Sequence, residues 1–312
     1  MPDAIRDAMK QAIVAGMPRT GTSWAGRVLG LAPGYTYYRE PDNFVLVDGA
    51  ERYFPYLYLA SAGDDEQYRR HMDRALRGKV ATPFTMRDDA GPVMDHLPQR
   101  WHKLGKHLPA LYRRKPNTIV KLVNSSLALN WLQAQYPSAS MVYLLRHPCG
   151  QFASVRRLGW EPRPHRLTWS DTLLADYLHP FEELLLSAET FWERAGAQWG
   201  AVNYVVYHQH KRGADRALVP FEWLCQDPVA RFRTLFDRLD LHWTQEAEDF
   251  LDENTDEHSD RPYSLTRKSA AQIDKWRAEV SDEDMETCRR FAEPFGLPFY
   301  QDFDPRSSGV LW

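Results

Sequence analysis

The sequence has little cysteine, no long apolar run and no strong excess of charge of either sign. Its three cysteines, Cys149, Cys225 and Cys288, are far apart and have no metal-ligand spacing, which argues against a disulfide framework or a zinc site. No stretch approaches the roughly 18 apolar residues of a membrane helix, and residues 1–10 lack the apolar core of a signal peptide. The net charge of −3 does not indicate a polyanion-binding protein. We therefore expect a reduced, cytoplasmic setting, no transmembrane segment and no nucleic-acid partner.

Apolar residues make up 43% of the 312 positions, which is enough for one large domain. Short apolar segments alternate with helical patterns, and this alternation is typical of an α/β fold in which helices cover both faces of a parallel β-sheet. Strands are predicted at 13–15, 118–123, 141–145 and 217–221, and the run 35–38 is β-prone. Helices are predicted at 22–31, 67–76, 126–135, 150–157, 228–239, 269–276 and 281–291, and residues 170–201 are predicted to be mostly helical with a break around His179-Pro180. A loop is predicted at 252–264.

We predict a single domain over residues 1–312. Residues 43–116 are repeatedly broken by proline and contain clustered aromatic residues, so we interpret them as an insertion or lid that shapes a substrate pocket. The alternative is that these aromatic side chains belong to the ordinary core.

A glycine-rich segment, Gly16–Trp24, reads GMPRTGTSW and follows the apolar residues 12–15. The spacing of Gly16 and Gly21 matches a phosphate-binding P-loop, in which a strand, a glycine loop and a helix start cradle a phosphate on backbone N–H groups. A surface turn rich in small residues is the alternative interpretation.

The loop departs from the P-loop pattern at one position. Ser23 stands where the motif has Ser or Thr, but Thr22 replaces the lysine that reaches the outer phosphates of a nucleoside triphosphate. This replacement argues against ATP or GTP chemistry. Arg19 supplies a cation at a different point of the loop.

A second phosphate-type signal lies at the end of the 141–145 strand, where Arg146-His147-Pro148 is followed by Ser154 in the next helix. Arg146 can bind a phosphate bidentately and Ser154 can donate one more hydrogen bond. Taken alone, this pattern is equally compatible with a structural salt bridge. Together with the glycine loop, it indicates a ligand with two separated phosphates, such as a nucleotide 3′,5′-bisphosphate.

The two motifs resemble those of the sulfotransferases that use 3′-phosphoadenosine 5′-phosphosulfate (PAPS). The loop Pro18–Trp24 is similar to the family's 5′-phosphosulfate loop, and Arg146 with Ser154 is similar to its 3′-phosphate signature. A lysine-bearing strand at Lys121 and the segment 219–228 are also similar. The resemblance implies a P-loop-containing nucleotide-hydrolase-like sulfotransferase fold, closer to bacterial and carbohydrate-directed members than to the cytosolic branch. It also implies PAPS as co-substrate, 3′-phosphoadenosine 5′-phosphate (PAP) as product, and no metal.

The resemblance also implies roles for individual residues. Arg19 would neutralise the leaving phosphate oxygen, Lys121 would point at the sulfuryl group, and Trp24 would pack against adenine. Donor binding is expected from Pro18, Arg19, Thr20, Gly21, Thr22, Ser23, Trp24, Arg146, Ser154, Arg267 and Lys268.

The general base is the clearest departure from the cytosolic branch, because Val123 occupies the position of its catalytic histidine. Glu40, followed by Pro41, resembles the Glu-Pro of carbohydrate-directed members and is predicted to take the proton, with burial raising its pKa. Asp42 and His147 are the next candidates. The histidines at 96, 102 and 107 do not have a good metal-ligand spacing.

The function that follows is transfer of a sulfuryl group from PAPS to a hydroxyl of a small molecule, glycoside or lipid. Two alternatives stay open. A P-loop small-molecule kinase would need the loop lysine that Thr22 replaces and an acidic metal ligand. A non-catalytic nucleotide-binding protein of the same fold is compatible with Val123 in place of histidine.

Overall fold

Five parallel strands form one sheet at the centre of the protein. The computed structural model describes residues 9–43, 57–60, 65–80, 115, 117–213, 215–256 and 269–312. The strands, in chain order, are β1 Gln11–Ala15, β2 Tyr35–Arg39, β3 Asn117–Leu122, β4 Ser140–Leu145 and β5 Arg216–Pro220. Their order across the sheet is β2-β3-β1-β4-β5, so the first strand lies in the middle.

Helices connect and cover these strands. The α-helices are α1 Thr22–Leu29, α2 Glu66–Leu76, α3 Leu129–Gln135, α4 Pro148–Arg156, α5 Glu182–Ser187, α6 Phe191–Lys211, α7 Phe221–Gln226, α8 Pro228–Arg238, α9 Gln245–Asp256, α10 Ser269–Asp274 and α11 Asp282–Ala292. A short helical turn at Asp171–Leu173 continues as a π-helical turn at Leu174–Leu178. Turns of 3₁₀ helix occupy Ser126–Ala128, Pro164–Trp169, His179–Phe181, Lys275–Ala278, Glu293–Phe295 and Gln301–Phe303. Among the described helices, none is long and apolar enough to cross a membrane.

The sheet has an apolar core on each face, because successive side chains of a strand point to opposite sides. In β1, Ile13 packs into one core and Val14 into the other. The first core lies mainly under α6, whose Trp192 and Val202 are buried there. The second lies under α1, α8 and α9, with Phe232 and other buried residues. This two-sided burial confirms the predicted fold class.

The strand order determines where a ligand can bind. From β1, the connection through α1 leads to one side of the sheet, whereas β4 lies on the other side. Open α/β sheets bind ligands beyond the carboxyl ends of their strands, at the point where the connections diverge. Gly16 follows β1 directly, Arg146 follows β4, and Lys121 lies one residue before the end of β3, so these residues meet at one edge of the sheet.

The predicted strands are confirmed, including the β-prone run that forms β2. Several predicted boundaries were wrong, and three of them are informative. Phe221 begins helix α7 and does not end a strand, since buried residues continue from it at helical spacing. The helix predicted to end at Ala201 continues to Lys211, because Val205 and Gln209 extend its buried face. The predicted loop at 252–264 is helical as far as Asp256, and its remainder lies outside the described residues.

Helices α6 and α11 pack so closely at Gly196 that no larger side chain fits there without a shift. A Cβ added at Gly196 would lie 2.2 Å from the carbonyl oxygen of Cys288, a backbone atom that cannot move away easily. This position therefore sets how closely the two helices pack.

We expect Gly196→Ala to lower the free energy of unfolding by about 1–3 kcal/mol, the usual cost of overpacking a close contact. The measurement is urea unfolding of the parent and the variant. Gly309→Ala is the matched control, because a Cβ there meets nothing within 4 Å, and its effect should stay within about 0.5 kcal/mol. Equal unfolding midpoints for the two variants would contradict the packing argument.

Candidate active site

The glycine loop between β1 and α1 is held in a conformation that depends on Gly21. This residue has a φ of 91°, and a Cβ added to it would lie 2.4 Å from the ring of Phe221. Arg19 is also in the left-handed region, with a φ of 71°. The hydroxyl of Thr20 donates to the carbonyl of Met17 at 2.8 Å, which fixes the turn from inside. These contacts and backbone angles give the loop a defined turn.

The structure joins the loop to the second motif. Arg19 Nε donates to Ser154 Oγ at 2.9 Å, and Arg146 Nη1 donates to the carbonyl of Arg19 at 3.3 Å. The Arg146 guanidinium also lies over the ring of Phe221, 4.5 Å from its centroid. The two motifs predict separate phosphate sites for Arg19 and Ser154, whereas the structure places these two side chains in direct contact.

The other loop residues predicted to bind the donor lie at the end of the loop and the start of α1. Gln151 donates to the carbonyl of Pro18 at 3.1 Å and ties the loop to α4. Thr22 and Ser23 begin α1, with Thr22 buried and Ser23 half-buried. Trp24 is half-buried and its ring makes edge contacts with Phe221 and Phe232, at centroid distances of 5.9 and 4.9 Å.

A buried carboxylate behind Arg146 was missed by the sequence analysis. Glu222 accepts a hydrogen bond from the backbone N–H of His147 at 3.1 Å and another from the hydroxyl of Tyr300 at 2.7 Å. Burial raises the pKa of Glu222, while the positive charge of Arg146 opposes that rise. Glu222 lies in the 219–228 segment noted for its similarity to the family, and that was the one available signal.

His147 is buried and neutral. Its Nε2 pairs with the carbonyl of Phe303 at 3.0 Å, and its ring stacks on Trp276 at a centroid distance of 4.8 Å. Burial lowers the pKa of His147 to about 3, with the nearby Arg277 and Arg146 adding to the effect. These contacts place His147 in the packing behind Arg146.

Lys121 and Glu40 form an ion pair at the carboxyl end of β3. Lys121 Nζ lies 2.5 Å from Glu40 Oε1, and the two side chains are only 4% and 13% exposed. Lys121 is in register with Val14 of β1, so the pair lies beside the start of the glycine loop. Arg39 Nε is 3.7 Å from the same carboxylate oxygen, and Asn43 donates to the other at 3.4 Å.

The pKa of Glu40 is lowered, contrary to the sequence-based expectation. Burial alone acts to raise it, but the charge and hydrogen bond of Lys121, with a smaller contribution from Arg39, outweigh burial. Burial lowers the pKa of Lys121, and Glu40 opposes that change. Because its pKa lies below the ordinary value of 4.5, Glu40 is a carboxylate at neutral pH.

Several predicted features fall outside the described residues. They are Arg267, Lys268, the three histidines at 96, 102 and 107, and most of the 43–116 region. Of that region, Tyr58 donates a hydrogen bond to the carboxylate of Asp176 and makes an edge contact with Tyr177. Within the described part of the chain, no three His, Cys, Asp or Glu side chains are grouped as a metal site would require.

Comparison with known families gives one clear match. A family model described as "Sulfotransferase family" matches residues 12–245, which is most of the chain. A search of curated proteins gave no match.

Solved structures with a similar fold include three sulfotransferases. The sulfotransferase domain of the Synechococcus PCC 7002 olefin synthase is 16% identical, with a TM-score of 0.46, covering 93% of this chain and 96% of that one. The Alicyclobacillus acidocaldarius sulfotransferase is 15% identical, with a TM-score of 0.42 and coverages of 92% and 93%. A mouse sulfotransferase complexed with PAP is 11% identical, with a TM-score of 0.40 and coverages of 92% and 86%.

We expect Lys121→Met to lower the free energy of unfolding by about 3–5 kcal/mol at pH 7, because it leaves the Glu40 carboxylate buried without its main partner. The double variant Lys121→Met/Glu40→Gln should recover much of that loss. Urea unfolding of the full cycle measures both effects, with Arg233→Met as the control, since Arg233 pairs with Glu248 at the surface. A Lys121→Met cost no larger than the control would contradict a buried, mutually dependent pair.

The same cycle has a defined pH dependence. A carboxyl group whose pKa is lowered by folding contributes stability above its ordinary pKa of 4.5, and this contribution is lost as the pH falls through the lowered value. The cost of Glu40→Gln should therefore be full at pH 7 and shrink below pH 4.5. An unchanged cost at acidic pH would show that Glu40 is not held as a carboxylate by Lys121.

Proposed function

Because this chain belongs to the sulfotransferase family, we propose that it transfers a sulfuryl group from PAPS to an acceptor hydroxyl. The observation that carries the proposal is the buried ion pair of Lys121 and Glu40 beside the glycine loop. It supplies a cation for the transferred group and a carboxylate for the proton at the sheet edge where ligands of such folds bind.

The residues around the loop fit the phosphates of the donor. Arg146 is half-buried, and its Nε is buried with no hydrogen-bond partner among the described residues, which suits an anion placed against it. Arg19 and Ser154 lie next to this guanidinium and can turn from each other to a bound phosphate. Thr22, in place of a P-loop lysine, disfavours a triphosphate.

Arg19, Lys121 and Glu40 are the groups that act in the transfer. The acceptor oxygen forms a bond to sulfur while the bond from sulfur to the bridging phosphate oxygen breaks, and PAP leaves with that electron pair. Arg19 and Lys121 stabilise the negative charge that grows on the phosphate oxygen and the sulfuryl group. An ammonium has three N–H donors, so Lys121 can hold Glu40 and still reach the sulfuryl group. The proton of the hydroxyl passes to Glu40.

Glu40 serves as base through its position and its charge state. Since Lys121 lowers its pKa, Glu40 is ionised throughout the neutral range and can accept a proton at any such pH. Its low basicity is matched to a loose transition state, in which the hydroxyl loses its proton late. This differs from the raised pKa that the sequence suggested.

The acceptor is a hydroxyl of a small molecule, a sugar or a lipid. Within one domain spanning 1–312, the 43–116 region would shape its pocket. Tyr58, which lies in this region, contacts the π-helical turn at Leu174–Leu178. We also propose a cytoplasmic location, which fits three cysteines that are all free and buried.

We expect the parent protein to form sulfated product from PAPS, and Glu40→Gln to lower kcat by about 10²–10⁴-fold, because the amide cannot take the proton. PAP affinity, measured by calorimetry, should be unchanged. Glu248→Gln, which removes a surface carboxylate paired with Arg233, is the control and should keep the parent rate. Phosphoryl transfer from ATP would favour the kinase alternative, and PAP binding without any transfer would favour the non-catalytic one.

We expect Ser154→Ala and Arg146→Ala to weaken PAP binding, the serine variant by about 10-fold or more, because a hydrogen bond to a charged group contributes about 1.5–3 kcal/mol. Both should lose discrimination between PAP and adenosine 5′-phosphate. Thr234→Ala, which removes a hydroxyl that donates to the carbonyl of Ala230 within α8, is the control for the serine. If both variants discriminate as the parent does, the 3′-phosphate is bound elsewhere.

A further inference from the structure

A second carboxylate, Asp42, lies two residues beyond Glu40 and is only 6% exposed. One of its oxygens, Oδ2, accepts hydrogen bonds from three consecutive backbone N–H groups, those of Val123 at 3.0 Å, Asn124 at 2.7 Å and Ser125 at 3.0 Å. The hydroxyl of Ser125 adds a fourth bond at 3.0 Å. Successive N–H groups that converge in this way form an anion-binding nest. Here the nest follows β3 and holds a carboxylate of the chain itself.

The turn that carries Asp42 is joined to β3 from both ends. The N–H of Glu40 donates to the carbonyl of Lys121 at 2.9 Å, which extends the pairing of β2 and β3 by one residue. On the other side, the side chain of Asn124 donates to the carbonyl of Asp42 at 3.1 Å. Between them, the ring of His71 in α2 pairs with the carbonyl of Pro41 at 2.5 Å.

These contacts oppose backbone strain, because Glu40 is in the left-handed region with a φ of 52°. A left-handed conformation costs a non-glycine residue roughly 1–2 kcal/mol, so the turn tends to relax unless neighbouring contacts hold it. Charge-assisted bonds to Asp42 are about twice as strong as neutral ones and hold the turn on the segment that follows Lys121. They fix the backbone on both sides of the Lys121–Glu40 pair.

We propose that Asp42 is a positioning residue that holds Glu40 against Lys121 for sulfuryl transfer. The proposal rests on the function proposed above, and it adds a residue that touches neither donor nor acceptor. Asp42 was considered as an alternative base, but its bonded oxygen is fully occupied by backbone and hydroxyl donors. Its other oxygen, Oδ1, is buried without a partner among the described residues, which leaves it as the atom where a proton would be added.

The charges around Asp42 give the arrangement a pH dependence. Burial raises the pKa of Asp42 to about 6; the nearby Glu40 adds to the rise, while the N–H donors and Lys121 oppose it. From α2, His71 faces the turn; burial lowers its pKa, while its bond to the carbonyl of Pro41 opposes that change. Arg39 faces the Glu40 carboxylate, with its Nε 3.7 Å from Oε1. Protonation of Asp42 weakens its bonds to the nest, so the transfer rate should fall as the pH decreases through about 6.

The test compares Asp42→Asn with the parent. The amide keeps an acceptor oxygen and removes the charge, so we expect kcat to fall about 10-fold or more while the Kd for PAP stays within about twofold. The fall in kcat near pH 6 seen in the parent should be absent from the variant. Amide hydrogen exchange, measured without any ligand, should accelerate at residues 123–125. Ser125→Ala, which removes one of the four donors without changing charge, should give the same pattern to a smaller degree.

Asp227→Asn is the matched control, because Asp227 also accepts a backbone N–H, that of Ala230 at 3.2 Å, at the start of α8. It should leave kcat and the exchange at 123–125 as in the parent. Faster exchange in Asp42→Asn with normal kcat would overturn the proposal, since Asp42 would then only stabilise the loop. Unchanged exchange would overturn it as well. If the parent itself transfers no sulfuryl group, the proposed function fails, and the exchange data still decide whether Asp42 holds the nest.

Discussion

The structure depends on how charge is compensated at the carboxyl edge of the sheet. Burying an ionised side chain costs far more than a typical protein's whole stability unless a partner compensates it. Here the compensating charges lie on different elements. Glu40, in the turn after β2, pairs with Lys121 of β3. Glu222 of α7 lies close enough to Arg146 for the two charges to interact. Because each partner lies on a different segment, the sheet must form before these charges can be buried. The site is thus a product of the fold and cannot form locally.

Much of the fold could be predicted from the sequence, because its signals are local. Buried parallel strands are continuous apolar runs, and β1, β3, β4 and most of β5 follow that rule. The rule fails at Phe221, where an apolar residue after Pro220 continues into a helix of similar composition. Apolar residues alone do not distinguish the end of a strand from the start of a buried helix.

The site could be predicted less completely, because its electrostatics are non-local. The motifs identified Arg19, Lys121 and Arg146, since spacing within a loop or strand is readable in one dimension. The lowered pKa of Glu40 could not be predicted, because its cause lies 81 residues away at Lys121. Similarly, no sequence pattern links Glu222 to Tyr300, although the Tyr300 hydroxyl donates a hydrogen bond to Glu222 in the structure.

The segment near residue 300 makes contacts of high sequence separation with the elements that follow β4 and with β5. Phe303 reaches back across 156 positions to His147, and Leu311 pairs in antiparallel fashion with Leu218 on the outer strand β5. Contacts of such high sequence separation form slowly, because a long loop must close before they contribute. During synthesis, the strands and the glycine loop emerge well before these closing residues. Until residue 311 is available, the backbone groups of Leu218 with which it pairs lie on an outer edge of the described sheet. The Leu311 pairing closes part of that edge, so it also protects the finished protein from edge-to-edge association.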